Sequence, residues 1–333
     1  MLYPPPEVRQ GDYSPGYEQR VISLLGDHDF KRVLWPWQFQ HIETVQPVVL
    51  LDKDRQVKGF NGVMPVTVSI DGQHFPAVWS CDFVVAGDCR GQGVGKQVKL
   101  ALQADFPRLM SLGISDSAVR VLSRMGWKPG ARVITMRRLG SQRRWRDAPL
   151  LLAQAILTRL FGCSRQAGDG DALVWSQQLP MQADVDDLSV RVTPEYSRTV
   201  VRDYAYLSWR YEGHPLARYQ YLSLQSENGL QALVVVRESL GHLRIVDYLG
   251  PAAGVHEILL QAILKRYQGS RLFTCTTSDK NWLKALWRAG YLPQGRQRFY
   301  VYSETDGESE GWFLMAGDSD GELLQAARGA HRS

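Results

Sequence analysis

Three landmarks occur twice in this chain, in the same order and at similar offsets. The first is aromatic: Leu34-Trp35-Pro36-Trp37-Gln38-Phe39, echoed by Leu207-Ser208-Trp209-Arg210-Tyr211. The second is an aspartate inside an apolar, strand-like run, Asp82 and again Asp247. The third is Ser-Asp, a helical stretch, then Gly-aromatic: Ser115-Asp116 to Gly126-Trp127, and Ser278-Asp279 to Gly290-Tyr291. Trp37 to Asp82 is 45 residues and Trp209 to Asp247 is 38; Asp82 to Asp116 is 34 and Asp247 to Asp279 is 32. Such ordered recurrence implies a tandem duplication of one domain of roughly 140 residues.

The bulk numbers agree with two globular domains. The chain has 333 residues, 44% hydrophobic and 22% charged, which excludes disordered, collagen-like and coiled-coil classes. No apolar run approaches the ~20 residues that span a bilayer. The start, Met1-Leu2-Tyr3-Pro4-Pro5-Pro6-Glu7, lacks the basic and apolar regions of a signal peptide. A cytoplasmic protein without membrane insertion is expected. Cys81, Cys89, Cys163 and Cys275 form no Cys-x-x-Cys pair and have no His cluster beside them. They read as reduced, buried thiols, with no metal site. The net charge is +5, and much of the excess falls on Arg132, Arg137, Arg138, Arg143, Arg144 and Arg146. That cluster reads as a solvated strand and linker face, with nucleic acid, a phosphate-bearing cofactor or an acidic carrier protein as the alternative partners.

Residues 1–145 are expected to form the first domain, 146–185 a linker containing the amphipathic helix Leu150–Phe161, 186–320 the second domain, and 321–333 a tail. In the first half, Tyr17–Leu25 has helical spacing. Val45–Asp52, Val57–Ile70 and Phe75–Val85 read as strands, with a hairpin signal at Asp71-Gly72. Gly93–Phe106 reads as a helix, Leu109–Ile114 as a strand, Ser117–Met125 as a helix, and Val133–Leu139 as the strand that closes the domain. The second half repeats the order, opening on a strand at Leu188–Val192 and a helix at Glu195–Trp209 and ending on a strand at Phe299–Tyr302.

The segment Asp82-Phe83-Val84-Val85-Ala86-Gly87-Asp88-Cys89-Arg90-Gly91-Gln92-Gly93-Val94-Gly95-Lys96 carries the chemistry. A strand ends at Val85, a glycine-rich turn follows, and a helix starts near Gly93. Glycines at 91, 93 and 95 let backbone amides approach a ligand. The helix N-terminus turns unpaired N–H groups and a positive dipole end toward an anion, and Lys96 and Lys99 add charge. This predicts a pyrophosphate site. The spacing fits neither a P-loop nor a dinucleotide fingerprint.

Arg90-x-x-Gly93-x-Gly95 after a strand and at a helix start resembles the coenzyme A loop of the GNAT acyltransferase superfamily. The later helix ending in Gly126-Trp127, and the order of strands, are similar to that family too. The resemblance implies an α/β (α+β) fold: two tandem GNAT-like domains, each a mixed, mainly antiparallel sheet flanked by helices. It implies acetyl-CoA or another acyl-CoA as donor, with no metal. Gln92, Gly93, Val94 and Gly95 would hold the pyrophosphate, with Gly91 and Lys96 beside them and Arg90 at the loop's start. Val84 and Val85 would bond the pantetheine arm as an added strand. The second copy, Asp247-Tyr248-Leu249-Gly250-Pro251-Ala252-Ala253-Gly254, lacks the pattern, and Pro251 lacks an N–H. It reads as degenerate.

The resemblance also implies a tyrosine acid on the late helix, but the matching position is Leu122, with Ser123 next to it. Asp82 is the base candidate, weakened because Asp247 recurs in the degenerate copy; His74 and His41 are alternatives. Trp35, Trp37 and Phe39 are candidates for an acceptor wall, against core packing. Tandem chains with a Trp-Arg-Tyr segment resemble proteins of bacterial polysaccharide assembly, which implies an amino-sugar or envelope-precursor acceptor. The expected activity is acyl transfer from coenzyme A to an amine. An acyl carrier protein or aminoacyl-tRNA donor, or a non-catalytic CoA-binding scaffold, is the alternative. Asp318-Ser319-Asp320-Gly321-Glu322 reads as an exposed acidic turn.

Overall fold

Asp71 and Gly72 both take positive φ, 49° and 80°, and so close a hairpin between two long strands, β3 (Val57–Ile70) and β4 (Gln73–Val85). The computed structural model in which this hairpin sits describes residues 8–11, 15–39, 46–140, 147–162, 168, 170–305 and 309–322. The remaining strands are β1 (Arg9–Gly11), β2 (Val48–Leu51), β5 (Arg108–Leu112), β6 (Lys128–Pro129), β7 (Val133–Leu139), β8 (Ala172–Ser176), β9 (Arg198–Val200), β10 (Gln220–Ser226), β11 (Gly229–Ser239), β12 (His242–Leu249), β13 (Leu272–Thr277), β14 (Leu292–Gln297), β15 (Phe299–Ser303) and β16 (Trp312–Phe313). The α-helices are α1 (Glu18–Leu24), α2 (Asp29–Phe39), α3 (Val94–Asp105), α4 (Asp116–Arg124), α5 (Ala148–Phe161), α6 (Gln182–Val192), α7 (Tyr204–Leu207), α8 (His256–Arg266) and α9 (Lys280–Arg288).

The chain forms two compact units. The first comprises residues 1–67, 76–130 and 299–309, and the second 68–75, 131–298 and 310–333. In the first unit the strands run β1-β2-β3-β4-β5-β15-β6. All of these neighbours are antiparallel except β4 and β5, which pair in parallel. Val94, Val98 and Leu102, one helical face of α3, pack with Val48, Leu50, Val63, Val78 and Leu109 from the sheet and Leu122 from α4.

In the second unit the order is β14-β7-β13-β12-β11-β10-β8, with β12 and β13 parallel. Along β11, Ala232, Val234 and Val236 join the core under α8 and α9, while Leu233 and Val235 join the core under α6. That alternation is the period of two of a strand buried on both faces.

Both units thus have a mainly antiparallel sheet with one parallel pair and helices packed against it, as the sequence predicts. The third repeated landmark is a helix with its two stops. Ser115 Oγ accepts from Ala118 N to cap α4, and Asp279 Oδ1 accepts from Trp282 N to cap α9. Gly126 and Gly290 follow at φ 84° and 81°, and Trp127 and Tyr291 bury their rings.

The expected boundaries, 1–145 and 186–320, are crossed twice. Val133–Leu139 forms the strand the sequence predicts but does not close the first domain. It lies between β13 and β14, with Val133 and Met136 buried. The strand that lies beside β5 in the first unit is β15, from Phe299↔Leu112 to Ser303↔Arg108. Alternation marks a strand but not its partner.

Local assignments differ too. Leu188–Val192 ends a helix, because Val185, Leu188 and Val192 are buried at helical spacing. Residues 195–209 are interrupted by β9, and α7 passes into a π-turn at Ser208–Glu212. The acidic turn is not exposed. Asp318 bonds Arg202, and Glu322 bonds Arg237 and Arg244, inside the second unit.

Phe299 is buried and packs 5.9 Å from the Trp79 ring. Phe299→Ala is expected to cost about 3–5 kcal/mol, read from urea unfolding; a loss below 1 kcal/mol would show that β15 does not hold the first unit's core.

Candidate active site

β4 and β5 are hydrogen-bonded over two residue pairs only, Val78↔Leu109 and Trp79↔Met110. Beyond Trp79, β4 runs on to Val85 while β5 stops at Leu112. Asp82, at φ 48°, sits in the left-handed region within this stretch. Aspartate tolerates that conformation better than most residues. On its other edge β4 stays attached: Ala86 N donates to Lys58 O at 2.9 Å. The backbone of residues 80–85 therefore carries a sheet edge that β5 does not fill.

This edge leads directly into the glycine loop. A 3-10 turn at Gly87–Cys89 precedes the turn Arg90–Gly93, and α3 begins at Val94. Gly91 and Gly93 have φ 77° and 86°, so glycine is required there by conformation. A Cβ built on Gly87, Gly91 or Gly93 would meet nothing within 4 Å, so the loop presents bare backbone on an open face. Lys96 N and Gln97 N close on Gly93 O. The amides of Gly93, Val94 and Gly95 precede the first helical bond and lack intrahelical acceptors. The residues fit a pyrophosphate: open backbone donors, a dipole end, and the exposed side chains of Arg90 and Lys96. Asp88, which adds a negative charge here, is bonded to Lys58 at 2.7 Å. Gln92 Nε2 donates to Asp88 O at 2.7 Å and Arg90 Nε to Val85 O at 3.5 Å, which tie the loop to itself. Gly95 faces the rings and methyls of Phe83 and Val85, 3.2 Å and 3.5 Å from its Cβ position. Val84 and Val85 lie half-buried on the strand.

The acid–base candidates fall in different places. Asp82 is buried in an ion pair with Lys31 of α2. Asp247 is likewise buried, accepting from Arg202 Nε at 2.8 Å and Tyr211 Oη at 2.6 Å. The repeated aspartate thus holds a buried cation to the central strand in each unit. Leu122 is buried, and Ser123 is exposed on α4. His74 is exposed at the hairpin tip, and His41 lies outside the described residues. Trp35 and Phe39 are buried and pack on each other at 4.8 Å and on Phe60; Trp37 is half-buried. Cys81, Cys89 and Cys275 are buried and form no disulfide among the described residues, and Cys163 lies outside the described residues. Arg138 is engaged with Ala289 O and the Phe273 ring; Arg143, Arg144 and Arg146 also lie outside the described residues. Among the described residues, no group of three or more His, Cys, Asp or Glu side chains gathers as metal ligands would. No helix there is long and apolar enough to cross a membrane.

One residue near the strand edge escaped sequence reasoning. Lys99 was read only as charge near the loop, yet its side chain is buried under α3. Its Nζ donates to Asn61 Oδ1 and Ser80 Oγ, each at 2.7 Å, and lies 4.7 Å from the Phe83 ring centroid and 5.7 Å from that of Trp127. None of these is a counter-charge, and burial pushes the amine down to about 7. The helical position i+4 from Gly95 placed it inward, a signal that periodicity alone carries.

The second unit's corresponding split lies past Ile245↔Cys275. It is filled by the chain itself. Thr277 bridges Met315, Thr277 Oγ1 and Ser278 N donate to Leu314 O, and Leu314 N donates to Ser278 Oγ. Gly317 lies so close that a Cβ there would stand 3.2 Å from Val246 O. Among the described residues, the second unit's edge at that point is occupied by Leu314 and Met315.

No family model matches this sequence, and no curated relative does. Solved structures do match. A probable N-acyltransferase from Enterococcus faecalis V583 shares 10% identity at a TM-score of 0.64, covering 89% of this chain and 72% of that one. A GCN5-related N-acetyltransferase from Anabaena variabilis shares 12% at 0.63, with the same coverage. Saccharomyces cerevisiae N-myristoyltransferase, solved with bound myristoyl-CoA, shares 13% at 0.53, covering 91% of this chain and 83% of that one. The fold is that of the GCN5-related N-acetyltransferases.

Two outcomes follow from the buried charges. Asp82→Ala strands the Lys31 ammonium and is expected to cost about 3–5 kcal/mol, while Lys31→Gln with Asp82→Asn, which keeps a residue that tolerates the positive φ, recovers most of it in the same urea titration. An unchanged stability in Asp82→Ala would mean the pair is not structural. Lys99 binds its proton less tightly folded than unfolded, so its cost is fully present below about pH 7 and fades as pH rises toward 10.5. Lys99→Met should therefore be most stable relative to the parent chain at low pH, with the gap narrowing across that window in paired thermal melts.

Proposed function

We propose that this protein is an acyltransferase that moves an acyl group from coenzyme A to an amine, and that only the first unit holds the donor. The observation that carries this is the junction of an unfilled β4 edge with an open glycine cradle at the start of α3. The amides of Gly93, Val94 and Gly95, with Gly91 before them, receive the pyrophosphate, while Gln92 N is turned inward to Cys89 O at 3.4 Å. Arg90 and Lys96 screen its charge. The pantetheine amides pair with the backbone of Val84 and Val85, as an added strand does. The five steps from Val85 back to Ser80 span about 17 Å at ~3.3 Å per residue, a length an extended pantetheine arm can follow.

The thioester then lies where β4 leaves β5, and strand-edge N–H groups of β4 near the Asp82 kink polarise its carbonyl. A neutral amine attacks the carbonyl carbon, and the tetrahedral intermediate collapses with loss of the thiolate. No covalent enzyme intermediate is required. The acceptor class is an amino sugar or envelope precursor, supported by the resemblance of the Trp209-Arg210-Tyr211 segment. Trp37, half-buried on α2, is the remaining member of the aromatic set for the acceptor's wall.

Calorimetric titration with acetyl-CoA and free CoA tests the donor. One site with micromolar affinity is expected, lost by at least about tenfold in the Gly93→Asp plus Gly95→Asp variant, where two carboxylates face the pyrophosphate. Undiminished binding in that variant would overturn the assignment.

A further inference from the structure

Acyl transfer leaves a thiolate that must take up a proton, and Leu122 offers none at the late-helix position. The first unit nevertheless holds a buried proton-bearing pair at the end of the open β4 edge. Ser80 is the first β4 residue past the last β4–β5 rung, Trp79↔Met110. Its hydroxyl is 2.7 Å from Lys99 Nζ and 3.0 Å from Asn61 Oδ1. Lys99 has two of its three N–H groups on Asn61 and Ser80, and its Nζ lies 4.7 Å from the Phe83 ring centroid and 5.7 Å from that of Trp127. Trp127 N in turn donates to Leu122 O at 3.1 Å, so Lys99 stands in the same corner of the core as Leu122.

A buried ammonium with only neutral partners is costly. A chain selected for stability alone would place Met or Leu at such a position. The trio also lies at one end of the strand edge whose other end is the glycine cradle. From α3, β3, β4 and the turn after α4, the groups that face the amine are Asn61, Ser80, Phe83 and Trp127, with the Cys81 thiol nearby. No carboxylate is among them.

We propose that Ser80 and Lys99 form the relay that protonates departing coenzyme A. This rests on the assignment of the first unit as the donor site. Ser80 Oγ–H, which donates to Asn61 Oδ1 at rest, turns to give its proton to the thiolate sulfur as the C–S bond breaks, and takes one from Lys99 Nζ. The ammonium becomes a neutral amine, and CoA leaves as the thiol. The proton shed by the attacking amine, through solvent, restores the ammonium, so one turnover consumes no net proton at the relay. Ser80 is the catalytic residue and Lys99 the residue that charges it. Burial, which brings the amine down to about 7, lets it give and regain that proton near neutrality.

The test needs no acceptor. Free CoA is bound to the whole protein, and its thiol is titrated by thiolate absorbance, with desulfo-CoA as the blank. Lys99 is an ammonium only up to about pH 7, so the thiolate it favours must form by then: part of the bound thiol should ionise at or below about pH 7, well under free CoA, as a thiolate–ammonium pair. Lys99→Met and Lys99→Gln, the latter keeping a polar side chain under α3, should both return the thiol of bound CoA, measured at saturating CoA, to its free value. Ser80→Ala should remove most of the effect. CoA that binds the parent chain with an unshifted thiol, or a thiol equally shifted in both Lys99 variants, would overturn the relay and leave the donor assignment standing. Failure of the parent chain to bind CoA would overturn both.

Discussion

The parallel contact between β4 and β5 lasts for two rungs, and the proposed chemistry depends on its ending there. A full-length contact would satisfy the backbone of residues 80–85 and leave nothing for an extended ligand to pair with. Three features keep the strands apart or exploit the gap. Asp82 kinks β4 at a positive φ and is fixed there by Lys31. The glycine turn ends β4 and aims the amides of α3 at the gap's mouth. Lys99 and Ser80 put a proton-bearing pair at its closed end.

The second unit shows the same parallel pair put to structural use. There β12 leaves β13 after Ile245↔Cys275, and residues 312–318 fill the space. Arg202 bridges Asp247 and Asp318 and so locks that segment against the central strand. Burial pushes the Asp318 carboxyl up while Arg202 pulls it back. A cleft filled by its own chain has no use for a phosphate cradle. This accounts for the absence of an Arg-x-x-Gly-x-Gly pattern and for Pro251 in its place.

Much of this was legible in the residues. The strand lengths at Val57–Ile70 and Val133–Leu139, the caps at Ser115 and Asp279, and the glycine loop all follow from local rules of turn, cap and period. The repeated aspartate was visible too, and its recurrence already argued against a purely catalytic role. Partnership was not legible. Nothing in the alternation of Val133–Leu139 says that its neighbours are β13 and β14, or that Phe299 fills the first unit's core. Buried counter-ions were equally hidden: Asp318 and Glu322 read as an exposed acidic turn because their partners Arg202, Arg237 and Arg244 are distant in sequence. Lys99 was hidden because a lysine is read as surface unless its helical face is counted.

The central claim is that one of two homologous strand-to-helix junctions binds coenzyme A and the other does not. Amide hydrogen exchange with and without CoA compares both junctions in one experiment. Exchange should slow at Val84–Val85 and Gly91–Lys96 and stay unchanged at Tyr248–Gly254. Slowing at Tyr248–Gly254, or no change at Gly91–Lys96 with CoA present in excess, would contradict the account.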